Sequence, residues 1–314
     1  MNIIFMGTPD FAVPSLKSLL HSHHHIAAVV TTPDLPRGRG QKISSSPVKI
    51  EAQMHGLSVL QPSSLKDLDF QEKLRHFNAD LFVVVAFRIL PKEVFTIPSN
   101  GTINLHASLL PKYRGAAPLN WAIINGEKET GVTTFFIQEK VDTGNLIFQK
   151  KVAIGEDMTV GELHDQLMIV GADLLLETVN AIEEGSCELR KQHDADATPA
   201  PKIFRETCRI DWSRSAREIH NHVRGLSPYP GAWTTHKQKQ LNIYRTKVLN
   251  LDAELPAGSV IVEANHLSVA TGKGILEILE LKPEGRKRMT SEEFLRGYQM
   301  RIGETLGDDR SPSS

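Results

Sequence analysis

Short apolar runs alternate with stretches of helical periodicity through the first half of the chain. Residues 2–6 are apolar and close on Gly7; Thr8-Pro9-Asp10 follows, then an amphipathic stretch over 11–20. That order predicts strand, turn and helix, with Asp10 suited to the helix N-terminus. Residues 26–31 form a second β-branched run, and Pro47 reads as the first residue of a helix reaching His55. The polar, Gly/Arg-rich segment 32–46 between them has the pattern of a loop. Further on, 69–77 predicts a helix, 81–86 a strand buried on both faces, 102–107 a strand, 117–125 a helix and 132–137 a strand. Leu163, Leu167, Val170, Leu174 and Val179 give 159–184 helical spacing, and Gly185 ends it. Strands alternating with helices predict an α/β domain over residues 1–188, a doubly wound, mostly parallel, Rossmann-like sheet.

The pattern changes after residue 188. A polar stretch containing Ala197-Thr198-Pro199-Ala200-Pro201 predicts a linker over 189–206. A helix at 215–225 precedes five short β-rich runs at 232–235, 241–249, 259–262, 267–270 and 275–281, so 207–314 is expected to form a small OB-like β-barrel. Thr290 and Glu293 have capping-box spacing before a last short helix, and the tail from Gly307 is expected to fray.

Composition narrows the class. The 314 residues are 40% hydrophobic and 23% charged, enough for two soluble domains. No apolar run approaches the roughly 18–20 residues of a membrane span, and the N-terminus lacks a signal peptide's basic segment, so a cytoplasmic protein is expected. Cys187 and Cys208 make neither a disulfide framework nor a metal set. The net charge of −1 hides an asymmetry: residues 1–189 hold 16 Lys+Arg against 21 Asp+Glu, and 190–314 hold 20 against 16. From 219 to 251 there is no acid, while Arg224, Lys237, Lys239, Arg245 and Lys247 supply cations; 35–50 is likewise acid-free and carries Arg37, Arg39, Lys42 and Lys49. Such local basic surfaces suit a polyanion gripped at chosen places, or a merely solvated face.

Candidate chemistry lies at 103–115. Residues two apart on a strand share a face, so Asn104 and His106 project together at the C-terminal end of a sheet strand, where open α/β sheets hold their ligands. An amide donor and an imidazole suit oxyanion stabilisation and proton movement in acyl transfer. Asp142, just past the strand at 132–137, is the third candidate. On chemistry alone the pair reads more readily as a polar strand cap than as a catalytic pair, and Asp142-Thr143-Gly144 more readily as a turn. No Cys/His metal spacing occurs, and His23-His24-His25 reads as an exposed run after the first helix. Dinucleotide, phosphate-loop and nucleophile-elbow motifs are missing.

The segments Phe5-Met6-Gly7-Thr8-Pro9-Asp10-Phe11, Gly38-Arg39-Gly40, Ser46-Pro47-Val48-Lys49, His106 through Pro118, Thr130-Gly131-Val132-Thr133 and Asp142-Thr143-Gly144 resemble the methionyl-tRNA formyltransferases, as do Arg209-Ile210-Asp211-Trp212 and Pro228-Tyr229-Pro230-Gly231-Ala232. The motif from Asn104 to Gly115 is shared with other formyltetrahydrofolate-using transferases, including the glycinamide ribonucleotide and aminoarabinose enzymes; the basic 33–49 loop and basic C-terminal region favour the tRNA family. The resemblance implies transfer of the formyl group of 10-formyltetrahydrofolate to methionyl-tRNA, giving N-formylmethionyl-tRNA for translation initiation. It implies catalysis by Asn104, His106 and Asp142. Folate is expected on Ser108, Leu109, Leu110 and Pro111, facing Phe87, Ile89 and Leu90. The initiator tRNA acceptor stem is expected on Arg37, Arg39, Lys42, Lys237 and Lys239. No metal, no membrane and a monomeric chain complete the expectation. One departure stands out: where the family commonly has Ala, an aromatic, Gly, a variable residue and then Ile-Leu-Pro, this chain reads Ala86-Phe87-Arg88-Ile89-Leu90-Pro91, one residue short and without the glycine.

Overall fold

The computed structural model describes residues 1–37, 42–249, 251 and 254–307, with backbone only at 35–37, 42 and 43. β1 (Asn2–Gly7) leads through a 3-10 turn to α1 (Val13–Leu20) and β2 (His25–Val30). The segment expected as a loop pairs on itself instead: β3 (Leu35–Arg37) and β4 (Lys42–Ser44) are antiparallel, with Arg37 opposite Lys42. Backbone groups find partners across a hairpin whatever the polarity of the side chains, so composition alone misses it. α2 (Pro47–Met54) starts where Pro47 fits the first helical position and the Ser46 hydroxyl accepts from the Lys49 amide at 3.1 Å.

There follow β5 (Val59–Leu60), α3 (Leu68–His76), the wholly buried β6 (Leu81–Val85), α4 (Lys92–Phe95), β7 (Thr102–His106), β8 (Arg114–Gly115), α5 (Pro118–Ile124), β9 (Glu129–Phe136), β10 (Leu146–Ala153) and α6 (Val160–Glu183). Seven strands form one sheet in the order β10-β9-β7-β6-β1-β2-β5. β1, β2, β5, β6 and β7 run parallel and β9 is antiparallel to β7. β5 and β10 are additions to the expected strand set. This is the Rossmann-like sheet that the alternation predicts. Apolar residues of β1, β2 and β6 meet Phe70, Leu74, Leu90 and Val94 in one of its cores.

The run at 23–25 is not uniformly exposed: His23 and His25 face solvent, but His24 is buried at 6% exposure, because the chain there turns inward to begin β2. The expected linker carries structure as well. β11 (Pro199–Ala200) pairs with β8, and Gln192 is buried.

The second part contains α7 (Ala216–Gly225), β12 (Ala232–His236), β13 (Lys239–Leu249), β14 (Val260–Glu263), β15 (His266–Ala270), β16 (Ile275–Pro283), β17 (Met289–Thr290) and α8 (Ser291–Gly297). α7 and α8 both open on complete capping boxes, Ser215 with Glu218 and Thr290 with Glu293. The strands make a barrel-like antiparallel sheet ordered β12-β13-β16-β15-β14, with β17 on β16. Its core is built from Trp212, Ile219, Val223, Leu241, Ile243, Leu267 and their neighbours.

Packing divides the chain into two compact units: residues 1–116, 130–152 and 164–200, and residues 117–129, 153–163 and 201–314. Helix α5 belongs to the second unit, where it lies against α7. A side chain at Gly225 would meet Ile124 at 2.6 Å, and Asn120 donates to the Gly225 carbonyl at 2.8 Å. Among the described residues no helix is long and apolar enough to cross a membrane.

Candidate active site

β7 lies between β6 and β9, which puts Asn104 opposite Val84 and Phe135 and His106 opposite Thr133. The two polar residues therefore share one face at the strand's C-terminal end, as their spacing predicts. Asn104 is half-buried, and its carboxamide has no hydrogen-bond partner among the described residues. His106 is buried. Its Nε2 lies 2.9 Å from the Tyr113 carbonyl, which can only accept, so Nε2 carries a proton and donates it. The bond fixes the ring and leaves Nδ1 as the nitrogen free for proton exchange.

Nδ1 faces Asp142, whose Oδ2 stands 3.8 Å away, within range of strong Coulombic attraction but beyond a hydrogen bond. Asp142 adopts a left-handed backbone with φ +55°, a conformation that Asp tolerates better than most residues. Its Oδ2 accepts the Gly115 amide at 2.9 Å. Gln192 Nε2 donates to the carbonyls of Asp142 at 3.0 Å and Gly144 at 2.8 Å, which holds the turn. Gly144 is obligatory here, because a Cβ would come within 1.6 Å of the Phe136 carbonyl oxygen.

The loop from 107 to 116 is held along its length. Thr133 Oγ1 donates to the Ser108 carbonyl at 2.6 Å and accepts from the Leu110 amide at 3.2 Å and Gln149 Nε2 at 3.0 Å. Gln149 also donates to the Leu110 carbonyl at 2.8 Å, beside the cis Leu110–Pro111 bond. The Ser108 hydroxyl donates to the Lys112 carbonyl at 2.6 Å. Thr198 takes the Tyr113 amide on its hydroxyl and the Arg114 amide on its carbonyl, each at 2.9 Å. Arg114 reaches Gln192 Oε1 through Nε and Nη2 and Asp194 through Nη1, and this last bond is the chief reason the Asp194 carboxyl lies below its ordinary pKa. Thr133, Gln149, Gln192 and Thr198 thus support the site from positions to which sequence reasoning gave no role. Only Thr133 carried a signal, its place in the Thr130–Thr133 motif.

The residues expected around folate separate by burial. Ser108, Leu110 and Leu90 are buried, Leu110 against Phe135 and Leu146 and Leu90 in the core beneath β6. Leu109 and Pro111 are partly exposed, Phe87 is half-buried and Ile89 is 74% exposed. The segments 86–90 and 107–111 leave the adjacent parallel strands β6 and β7 at the same edge. In the shortened segment the left-handed position falls on Ala86, φ +47°, and Arg88 turns back to donate to the carbonyls of Pro62 at 2.8 Å and Ser63 at 3.2 Å. Burial pushes the Arg88 pKa down. The buried Arg88 Nε and, beyond β1, the buried Thr8 hydroxyl have no hydrogen-bond partner among the described residues, so this edge holds uncommitted polar groups as a ligand crevice does.

The residues expected on tRNA are dispersed. Arg39 lies outside the described residues, as do the side chains of Arg37 and Lys42. Lys237 and Gln238, with φ +48° and +65°, form the two-residue turn between β12 and β13; Lys237 is paired with Glu304 at 2.8 Å, and Lys239 is exposed. Cations also lie over aromatic rings in this unit: Arg205 and Arg209 over Trp233 at 5.6 and 5.7 Å, and Lys202 over Phe204 at 5.7 Å.

Residues 1–179 match the formyl transferase family and 202–299 its C-terminal domain. The methionyl-tRNA formyltransferase of Bacteroides thetaiotaomicron is 45% identical over 313 residues, covering 96% of this chain and 97% of the relative. That of Caldanaerobacter subterraneus subsp. tengcongensis is 47% identical over 308 residues, covering 98% and 100%. Among solved structures, an N-formyltransferase from Helicobacter canadensis in complex with folinic acid and dTDP-3-aminofucose superposes with TM-score 0.67 at 22% identity, covering 88% of this chain and 98% of that one. HypX from Aquifex aeolicus, in complex with tetrahydrofolic acid, gives 0.65 at 17% identity over 96% of this chain and 50% of that one. These two share the fold. With matched domains at both ends and relatives of equal length at 45–47% identity, the chain belongs to the methionyl-tRNA formyltransferase family.

Proposed function

We propose that the chain transfers the formyl group of 10-formyltetrahydrofolate to the free amino group of methionyl-tRNA, with the initiator tRNA as acceptor. It does so in the cytoplasm as a monomer. The observation that carries this reading is the convergence of Asn104, His106 and Asp142 at one sheet edge in a chain so similar to the curated enzymes. The folate supplies an activated one-carbon unit. Ile89, Phe87, Leu109 and Pro111 offer the apolar walls for it, and the uncommitted Thr8 hydroxyl and Arg88 Nε offer polar anchors.

The amine nitrogen gains a bond to the formyl carbon, the bond from that carbon to the folate nitrogen breaks, and one proton passes from amine to folate. An α-amine has pKa near about 7.7–8.0 and needs little base strength. Positioning and charge stabilisation are the larger demands. The Asn104 N–H groups, without partners among the described residues, donate to the formyl oxygen as negative charge develops there. His106, its Nε2–H tied to Tyr113, exchanges the proton through Nδ1. Asp142 holds Gly115 through Oδ2 and has no partner on Oδ1 among the described residues, so it can accept the amine proton and oppose the charge forming on His106. Basic groups of the second unit and of the 33–49 segment supply the phosphate contacts.

The test is a formylation assay with 10-formyltetrahydrofolate and, side by side, methionyl-tRNA, free methionine and an amino-sugar nucleotide. Turnover is expected with methionyl-tRNA alone. Preference for the sugar nucleotide would replace this reading with that of a sister formyltransferase.

A further inference from the structure

A second polar cluster lies at the opposite edge of the sheet, where β1 and β2 begin, about 16 Å of strand from the catalytic residues. His23 and His24 precede β2, while Asn180 and Glu183 lie in the last turn of α6. Ligand atoms of His23, His24 and Glu183 all fall within 4.8 Å of one another. The tautomer of His24 is fixed by its partners. The Met1 ammonium can only donate, so His24 Nδ1, 3.2 Å away, accepts. Nε2 therefore carries the proton and donates it to Asn180 Oδ1 at 2.9 Å.

One lone pair aimed into the cluster and the other N–H anchored by an amide is how proteins hold a metal-binding imidazole. Glu183 completes the set: Oε2 is 2.6 Å from His23 Nε2, and Oε1 is 3.7 Å from His24 Nδ1 and 2.6 Å from the Met1 nitrogen. Ligands 2.0–2.1 Å from a tetrahedral zinc ion stand about 3.3 Å apart, inside this range of separations.

We propose that His23, His24 and Glu183 form a binding site for a borderline divalent transition-metal ion of the zinc class. Asn180 is the positioning residue for His24. Two imidazoles and a carboxylate suit such an ion better than magnesium or calcium, which prefer all-oxygen sets. The ion ties the end of α6 to the start of β2 and takes no part in formyl transfer.

The test uses the full chain, stripped with a chelator and titrated with zinc chloride against a chromophoric competitor. One equivalent is expected to bind. His23→Ala, His24→Ala and Glu183→Gln should each weaken it at least about 10-fold, and Asn180→Ala by about 10-fold. Formyl transfer should be unchanged in all four. Zinc should raise the Tm of the wild type and not that of His23→Ala, whose exposed side chain can be removed without disturbing the fold. Binding that survives both His23→Ala and Glu183→Gln would overturn the proposal. So would binding lost only on replacing the nearby His25 and His76, which would assign the ion to surface imidazoles.

Discussion

Asp142→Asn separates charge from shape at the site. Asn tolerates the left-handed backbone at 142, and its carbonyl oxygen can still accept the Gly115 amide in place of Oδ2. Fold stability is therefore expected to change by less than about 1 kcal/mol. What is lost is the negative charge 3.8 Å from His106 Nδ1 and the free acceptor at Oδ1. At an effective dielectric of about 20, a unit positive charge forming at Nδ1 is favoured by about 4 kcal/mol at that distance. With 1.36 kcal/mol to each factor of ten, its loss predicts a fall in single-turnover rate of about 10³-fold. A His106→Asn variant, and the double variant, complete a cycle. Because the carboxylate acts through charge on the imidazole, the double variant should be scarcely slower than the slower single one. The assay is formylation under saturating methionyl-tRNA and formyl donor, with Tm measured alongside. A rate within about 10-fold of wild type, or losses that multiply in the double variant, would refute the reasoning.

Thr133→Val keeps volume but removes the hydroxyl that holds Ser108 and Leu110; with their buried groups left short of a partner, a loss of about 1–3 kcal/mol and a raised KM for the formyl donor are expected from denaturant titration and kinetics. His220, His222 and His236 all have pKa values lowered chiefly by burial, so below the unfolded value of about 6.5 the unfolded chain takes up protons that the folded chain resists. Stability should then be full above that pH and fall as the pH drops below it, and a Tm that stays flat on acidification through that range would contradict the assignment. Arg39→Ala should raise the KM for methionyl-tRNA and reduce the salt slope of tRNA binding by about one, leaving the KM for the formyl donor unchanged; unchanged salt dependence would remove the 33–49 segment from the tRNA contact.

Periodicity and punctuation in the sequence determined which elements exist. The apolar run at 81–86 could only be an inner strand, Pro47 and Ser215 marked helix starts, and Asn104 with His106 had to share a face of their strand. Those signals are local, arising from backbone sterics and from burial on one element, and so they can be read without knowing the neighbours. Pairing and support came from residues distant in sequence. That Asn104 lies opposite Phe135 and His106 opposite Thr133, that Gln192 from an apparent linker holds the Asp142 turn, and that Thr198 anchors Tyr113 depend on strand order and loop path. The same holds for His24, polar in composition yet buried because α6 ends above it with Asn180 and Glu183. A polar side chain gives the same local signal whether water or a partner 156 residues away satisfies it. Only the tertiary structure chooses between them, because burial without a partner costs too much to persist.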